Sequence, residues 1–231
     1  MIIGGLQKTT LIDFPGRIAC TVFFCGCNFR CPWCYSSELV LPEKIKKQPK
    51  ISEQKFFEFL ESRKGLLEGV VVCGGEPTIN KDLPVFVGKI KKMGFLVKLD
   101  TNGSNPEMLD KLIGNKLIDY VAMDIKGSKE KYNEFIGAKI NVNEIQKSIG
   151  ILKKDRVDYE FRSTIIPLFH TKEEIIRMAE WIRGAKKYYL QNFRPEKTID
   201  QEFQKLKPYS QEFLSEIQKT ISPFFTICRI R

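Results

Sequence analysis

Three of the seven cysteines in this 231-residue chain lie in one short segment. Cys27, Cys31 and Cys34 are spaced C-x3-C-x2-C and follow the apolar run 18–24, which predicts a buried strand. Soft thiolate ligands suit iron–sulfur clusters, and three of them in one loop can hold three corners of a 4Fe-4S cube. The fourth iron then has no protein ligand and can bind a substrate or cofactor.

Two other interpretations of these cysteines remain open. Cys25 could join the other three in a four-cysteine zinc site, although zinc ligands usually come as two separated pairs. The thiols could also simply be buried, because free cysteine behaves as a small apolar residue. We expect Cys25 to end the strand and not to bind metal.

The segment Cys27-Asn-Phe-Arg-Cys31-Pro-Trp33-Cys34 resembles the C-x3-C-x-aromatic-C signature of the radical SAM family. The resemblance implies a 4Fe-4S cluster on these cysteines, with S-adenosylmethionine chelating the open iron. It also implies that Trp33 and Tyr35 flank the adenine. A one-electron reductant would then allow cleavage of the cofactor to methionine and a 5'-deoxyadenosyl radical, chemistry that belongs to the cofactors.

Further motifs follow the predicted strands. Gly74-Gly75-Glu76-Pro77 comes after the run 70–73, where two glycines let a ligand approach the backbone and a carboxylate can meet an ammonium group. It resembles the family element that holds the methionine amino group. Thr101 and Asn102, in D-T-N-G, and Asp124 and Lys126, in D-I-K-G, resemble segments that line the ribose and methionine side of the cofactor. Each motif alone is also an ordinary turn.

Arg162 and His170 complete the candidate site. Arg162 lies inside the apolar run 157–166, so it needs an anionic partner, which the cofactor carboxylate could supply in bidentate fashion. The alternative is an arginine at a solvated rim. His170, the one histidine of the chain, precedes the capping box Thr171–Glu174. It could touch the adenosyl group or be an exposed loop residue.

Strand and helix patterns alternate along the chain, which predicts an α/β fold with a mostly parallel sheet. Six strand–helix units are too few for a closed eight-unit barrel, so we expect a partial (βα)6 barrel in a single domain. We divide it into a leader (1–16), the core (17–200) and a C-terminal helix and strand (201–231). We expect the leader to be rich in turns, residues 41–50 to form an exposed connector and residues 128–154 to be helical. All of the motifs follow strand ends, where parallel α/β folds assemble their sites.

Two segments resemble parts of glycyl radical enzyme activases. Thr10-Leu-Ile-Asp13-Phe14-Pro-Gly is similar to their T/S-x-x-D-G-P-G leader, with Phe14 in place of glycine. Gln191-Asn-Phe-Arg194-Pro resembles the Q-F-R-P segment of anaerobic ribonucleotide reductase activases. The resemblance implies a glycyl radical enzyme as partner, with class III anaerobic ribonucleoside-triphosphate reductase as the best fit, and a flavodoxin- or ferredoxin-type electron donor.

Composition sets further bounds. No signal peptide or membrane-length apolar run is present, so we expect a reducing cytoplasm and no membrane. The net charge of +10 fits a Lys/Glu-rich surface, nucleic-acid binding or docking of an acidic electron donor. No aromatic–basic recognition motif accompanies the lysine runs, so nucleic acid is the less favoured partner.

Other functions remain open. A pyruvate formate-lyase-type activase or a small-molecule enzyme such as a 7-carboxy-7-deazaguanine synthase would use the same cofactors. A zinc-stabilised RNA-binding module is the alternative outside enzymes. Colour and metal content separate the iron–sulfur enzymes from the zinc module, because an iron–sulfur protein is brown and contains sulfide whereas a zinc protein is colourless.

Overall fold

Eight β-strands form one sheet in the computed structural model, which describes residues 1–231. The strands are β1 (Ile3–Thr10), β2 (Ala19–Phe24), β3 (Gly69–Gly74), β4 (Leu96–Thr101), β5 (Tyr120–Asp124), β6 (Asp158–Ile165), β7 (Lys187–Asn192) and β8 (Ile227–Ile230). Their order in the sheet is their order in the chain. β1 runs antiparallel to β2, and every later pair is parallel.

Nine α-helices connect the strands. They are α1 (Ser37–Val40), α2 (Pro42–Lys47), α3 (Glu53–Glu61), α4 (Leu83–Lys92), α5 (Pro106–Gly114), α6 (Tyr132–Phe135), α7 (Val142–Lys153), α8 (Lys172–Trp181) and α9 (Gln211–Ile221). At least one helix follows each strand from β2 to β7, so the chain has six βα units and ends in β8. No pairing joins β1 to β8, which leaves the sheet open at that side. The prediction of a mostly parallel α/β sheet is confirmed.

The two faces of the sheet differ in polarity. Val70, Val72 and Leu99 lie on the face that belongs to the large apolar core, together with α4 residues such as Val87. Alternate residues point the other way, because successive strand side chains face opposite sides. That second face carries charged residues, including Lys98 and the fully buried Glu160. The polar face of the sheet is therefore the face on which a site for charged ligands can form.

The leader is mostly strand, which the sequence analysis did not predict. We expected turns over residues 1–16, but β1 occupies Ile3–Thr10 and the hairpin 11–18 follows it. Gly4 and the polar run 7–10 hide the strand pattern, and an edge strand does not need a continuous apolar face. Phe14 is buried against Tyr120, with ring centroids 6.2 Å apart.

Two helix predictions also need correction. Residues 128–154 were expected to be helical throughout, but α6 and α7 are separated by residues 136–141. Asn141 caps α7 by accepting a hydrogen bond from the Asn143 backbone, so a capping residue marks the new start. The connector 41–50 contains α2, whose residues are not buried, as expected of an exposed segment.

No helix in the structure is both long enough and apolar enough to cross a membrane.

Candidate active site

The cysteine loop begins where β2 ends and is held on both sides by backbone hydrogen bonds. The N–H of Gly26 donates to the Leu39 carbonyl at 2.7 Å, and the N–H of Arg30 donates to the Ile136 carbonyl at 2.9 Å. The Arg30 guanidinium donates to the Cys27 carbonyl at 2.6 Å. These contacts fix the loop between the α1 segment and the loop after α6.

The three candidate ligands are free thiols in this loop. Burial raises the pKa of Cys27 to about 11 and that of Cys31 to about 12, and it also raises the pKa of Cys34. The Lys126 ammonium is near enough to act in the opposite direction on all three thiols. A metal that binds here must displace their protons, so assembly of a metal site releases protons.

The donor set fits an iron–sulfur cluster better than one zinc ion. No three His, Cys, Asp or Glu side chains converge closely enough to hold one metal ion, whereas the cysteines of a cluster each bind a different iron. Cys25 is buried beside β1 and accepts a hydrogen bond from Gln48 Nε2 at 3.2 Å. Cys25 therefore has its own structural surroundings, as expected, and the four-cysteine zinc interpretation is not favoured.

Gly74 and Gly75 bring the end of β3 against the start of the cysteine loop. A side chain at Gly75 would overlap the Gly26 carbonyl, and one at Gly74 would overlap the backbone of Phe24. The N–H of Gly75 donates to the Phe24 carbonyl at 2.8 Å, and the N–H of Glu76 donates to the Gly26 carbonyl at 2.7 Å. An ammonium group of a ligand can only donate hydrogen bonds, so on this segment it would have to bind acceptor oxygens such as the backbone carbonyls.

The Glu76 carboxylate is buried and fully engaged within the protein. Oε1 accepts hydrogen bonds from the Thr78 N–H and hydroxyl at 3.0 and 2.5 Å and from the Thr101 hydroxyl at 2.7 Å. Oε2 accepts from the Asn102 N–H at 2.6 Å. Glu76 therefore joins the loops after β3 and β4. Its contact with a ligand ammonium stays a prediction. Pro77 begins the single turn Pro77–Ile79, in which Pro77 and Thr78 are buried.

Asn102 connects the loop after β4 to the cysteine loop. Its amide nitrogen donates to Asn28 Oδ1 at 3.0 Å, and Asn28 donates in turn to the Ser104 hydroxyl at 2.8 Å. Thr101 is buried, and its hydroxyl also accepts from the Gly103 N–H at 3.1 Å. The predicted pair Thr101 and Asn102 therefore lies beside the cysteine loop, where it supports the loop geometry.

A ladder of charges crosses the polar face at the ends of β4, β5 and β6. Arg162 donates to Asp100 Oδ2 and Asp124 Oδ1, both at 3.0 Å. Asp124 also pairs with Lys126 at 3.1 Å, and Asp100 pairs with Lys98. Arg162 thus pairs with two protein carboxylates, and its contact with the cofactor carboxylate stays a prediction. The ladder carries three cations and two anions, so it retains one positive charge toward a ligand.

Burial alone would raise the pKa of Asp124, but the Arg162 guanidinium and the Lys126 ammonium lower it to about 2. Burial alone would lower the pKa of Lys126, and Asp124 and Cys31 raise it instead. Both groups are therefore charged at neutral pH. The structure places Lys126 between the charge ladder and the three thiols.

The two aromatic residues of the cysteine loop have different surroundings. Trp33 is buried, with ring centroids 5.3 Å from Phe169 and 6.4 Å from Phe203. Tyr35 is half-buried, stacks on Phe193 at 6.2 Å, and accepts a hydrogen bond from the Arg194 N–H at 2.7 Å. Neither contact decides whether adenine binds beside these rings, so that role stays a prediction.

His170 is fully buried, so the expectation that it is an exposed loop residue is wrong. Nδ1 accepts from the Ile166 N–H at 2.8 Å, which leaves the proton on Nε2 to be donated to the Lys126 carbonyl at 3.0 Å. Burial lowers the pKa of His170 to about 4. With both nitrogens occupied and no exposed surface, the side chain supports the D-I-K-G loop and has no atom free for an adenosyl group.

The structure brings the cysteine loop, G-G-E-P, D-T-N-G, D-I-K-G and Arg162 to one end of the sheet. Sequence reasoning did not find three participants in this network. Lys98 and Asn28 are single polar residues without a motif, and Glu174 was assigned only to a capping box. Alternation along β4 could have placed Lys98 on the same face as Asp100.

Comparison with known proteins agrees with this geometry. Residues 21–182 match the Radical SAM superfamily model. A glycyl-radical enzyme activating enzyme, so named, from Methanocaldococcus jannaschii is 34% identical over 236 residues, covering 100% of this chain and 95% of that protein. The pyruvate formate-lyase-activating enzyme of Clostridium pasteurianum is 25% identical, covering 80% of this chain and 77% of that one.

Among solved structures, SuiB of Streptococcus suis bound to S-adenosylmethionine superposes with a TM-score of 0.67 at 13% identity. The match covers 90% of this chain and 51% of SuiB, so this chain spans about half the length of that protein, and the likeness concerns the fold. The chain belongs to the radical SAM superfamily and, within it, to the glycyl-radical enzyme activating enzymes. Its cofactors are accordingly a 4Fe-4S cluster and S-adenosylmethionine.

Proposed function

We propose that this activating enzyme generates the glycyl radical of an anaerobic, class III ribonucleoside-triphosphate reductase, with a flavodoxin- or ferredoxin-type protein as electron donor. When bound, the cluster and S-adenosylmethionine would supply the one-electron reductive chemistry by which a hydrogen atom is removed from a glycine of the partner. The chain then binds the cofactors, excludes water and presents an opening for the partner's glycine.

The observation that carries this proposal is the contact between the Q-N-F-R-P segment and the cysteine loop. Arg194 donates its N–H to the Tyr35 hydroxyl at 2.7 Å, and Phe193 stacks on the Tyr35 ring. The N–H of Asp200 donates to the Pro32 carbonyl at 2.9 Å. The segment that resembles reductase activases therefore borders the cysteine loop, where a partner must approach.

The open side of the sheet supports a protein substrate. β1 and β8 are not paired, so the polar face is not enclosed by a complete barrel. A small-molecule enzyme needs a cavity that buries most of its ligand, whereas a glycine on a loop of a large protein needs an opening. The net charge of +10 is suited to an acidic electron donor, because opposite charges accelerate encounter.

We assign the following roles to the site residues. Cys27, Cys31 and Cys34 hold the cluster, the carbonyls of Gly74, Gly75 and Glu76 accept the methionine ammonium, and the positive charge ladder attracts its carboxylate. Trp33 and Tyr35 border the adenine. Thr101, Asn102 and Pro77 maintain the loop geometry.

The experiment compares two purified partners under anaerobic conditions. The reconstituted chain, S-adenosylmethionine and dithionite are incubated with a class III reductase or with pyruvate formate-lyase, and the glycyl radical signal is recorded by electron paramagnetic resonance. We expect the radical on the reductase and little on the lyase. A radical only on the lyase would overturn the partner assignment and favour the activity for which the Clostridium pasteurianum relative is named.

A variant pair tests the segment that carries the proposal. Replacing Tyr35 by Phe removes the hydroxyl that accepts from Arg194 but keeps the ring on Phe193. We expect Y35F, which keeps the ring, to reduce the yield of glycyl radical more than it reduces cleavage of S-adenosylmethionine without partner. The matched control is Y159F, which removes a hydroxyl that accepts from the Lys186 N–H at 3.3 Å, near the start of β6 and outside the site. Equal radical yield from Y35F and the unmodified chain would contradict this role of the contact.

A further inference from the structure

Residues at the beginning of α8 form hydrogen bonds with the backbone of the loop that carries Asp124 and Lys126. His170, one residue ahead of the Thr171 cap, donates from Nε2 to the Lys126 carbonyl at 3.0 Å. Glu174, in the first turn of α8, accepts from the Ser128 N–H through Oε1 at 2.7 Å. Each residue therefore binds the backbone on one side of Gly127.

Both residues are buried, so these hydrogen bonds are shielded from water. His170 is 0% exposed and Glu174 is 2% exposed. The Phe135 ring meets the His170 ring edge-on at 5.3 Å, and Trp33 of the cysteine loop meets it at 6.1 Å. A shift of His170 would therefore disturb both the Lys126 loop and the cysteine loop.

The surroundings of this contact are not optimised for stability. Three buried polar atoms have no hydrogen-bond partner, namely Ser128 Oγ, Tyr132 Oη and Glu174 Oε2. An unpaired buried polar group is costly, and apolar residues of similar size would avoid that cost.

We infer that His170 and Glu174 form a positioning clamp, which holds the Asp124–Ser128 loop so that the Lys126 ammonium stays beside the cysteine loop. The clamp acts through backbone atoms, so it fixes where the charge lies without touching a ligand. A cation fixed near a cluster stabilises the more negative, reduced state and raises its reduction potential. This consequence rests on the proposed cluster, whereas the clamp itself is a property of the chain alone.

The first test uses the full chain without a cluster. Hydrogen exchange is measured by mass spectrometry for peptides that cover 124–128 and 163–170. We expect H170F and E174L to increase exchange of the 124–128 amides at least tenfold, and E174Q, which keeps an acceptor oxygen, to increase it less. E173Q is the matched control, because Glu173 is exposed on the same helix turn. Exchange in both H170F and E174L equal to that of the unmodified chain would overturn the clamp.

The second test measures the reduction potential of the reconstituted chain. We expect K126M, H170F and E174L each to shift the potential to more negative values, and the double variant H170F/K126M to shift it no further than K126M. If K126M shifts the reduction potential but H170F and E174L leave it unchanged, His170 and Glu174 have only packing roles, and the proposal is wrong. If the unmodified chain assembles no cluster, the proposed function fails, and the exchange rates alone confirm or contradict the clamp.

Discussion

At the residue scale, Glu76 connects the parts of the site. Its buried carboxylate accepts four hydrogen bonds, from Thr78, Thr101 and Asn102, and so joins the loops after β3 and β4. Hydrogen bonds to a charged group are stronger than neutral ones, and a donor left without its acceptor inside the protein is costly. The carboxylate is therefore a structural centre of the loops that border the cysteine loop.

Replacing Glu76 by Gln tests this role. The amide presents a donor to groups that are themselves donors, so we expect E76Q to lower the free energy of unfolding by about 1.5–3 kcal/mol. Urea denaturation of the cluster-free chain at neutral pH measures the change. E130Q is the control, since Glu130 is exposed and has no ion pair. A loss in E76Q no larger than in E130Q would show that the four hydrogen bonds contribute little.

His170 gives the stability a pH dependence of known sign. Its pKa is lowered by burial to about 4, assisted by the nearby Lys126 and opposed by Glu174, whereas an unfolded histidine titrates near ~6.5. The unfolded chain therefore binds a proton between these values that the folded chain does not, and stability falls as the pH decreases through this window.

The measurement compares the unmodified chain with H170Q by urea denaturation from pH 7.5 to pH 4.5. We expect H170Q to be less stable at neutral pH, and the difference between the two proteins to shrink by up to ~1.4 kcal/mol per pH unit below about 6.5. A difference that stays constant with pH would mean that folding does not shift the pKa of His170.

At the element scale, the site depends on how closely the ends of β2 and β3 approach each other. Gly75 lies against the Gly26 carbonyl, and two backbone hydrogen bonds join the strand ends at this point. A methyl group at Gly75 must push the cysteine loop away from G-G-E-P. Because Gly75 has no side chain, the cysteine loop and the G-G-E-P segment can lie in direct contact.

We expect G75A to lower the free energy of unfolding by about 1–3 kcal/mol and to reduce iron and sulfide incorporation on reconstitution. The matched control is G150A. Gly150 lies within α7 with open space around it, so alanine there should add about 0.5–1 kcal/mol through helix propensity. Normal iron content and stability in G75A would contradict the close-approach explanation.

Strand patterns predicted most of the elements, and spacing predicted the metal-binding loop. Most of the parallel strands from β2 to β7 were identifiable as apolar runs that end in a turn motif, whereas β6 alternates apolar residues with charged ones such as Glu160 and Arg162. The partners of Arg162 were not identifiable, because they depend on sheet register, in which Asp124 pairs with Arg162 and Asp100 lies one strand further. The burial of His170 depends on a turn whose Ile166 N–H points at the ring, which no local pattern reveals.

At the scale of the whole molecule, the residue after β8, Arg231, is partly exposed and forms an ion pair with the buried Glu160. Arg231 donates to both oxygens of Glu160, at 2.8 and 3.0 Å, and its guanidinium lies 3.5 Å from the centre of the Tyr189 ring. Glu160 also accepts from the Tyr120 hydroxyl at 2.9 Å. β5, β6, β7 and β8 are thereby connected across the sheet at the end away from the cysteines.

Breaking this pair should destabilise the whole sheet. R231M leaves the fully buried Glu160 without its cation, and we expect a loss of about 3 kcal/mol, because an unpaired buried charge is costly. The control R229M removes an exposed arginine from β8 and should change stability by less than about 0.5 kcal/mol. Thermal and urea unfolding measure both. Equal stability of the two variants would exclude a structural role for the pair.

The central claim is that the cysteine loop holds a cluster with an iron open to S-adenosylmethionine. Its most direct test is the electron paramagnetic resonance spectrum of the anaerobically reconstituted, dithionite-reduced chain, recorded with and without S-adenosylmethionine. We predict a reduced 4Fe-4S signal that changes when the cofactor is added, with formation of 5'-deoxyadenosine, and loss of both in C27A, C31A or C34A but not in C25A. A colourless zinc protein without such a signal would contradict the account.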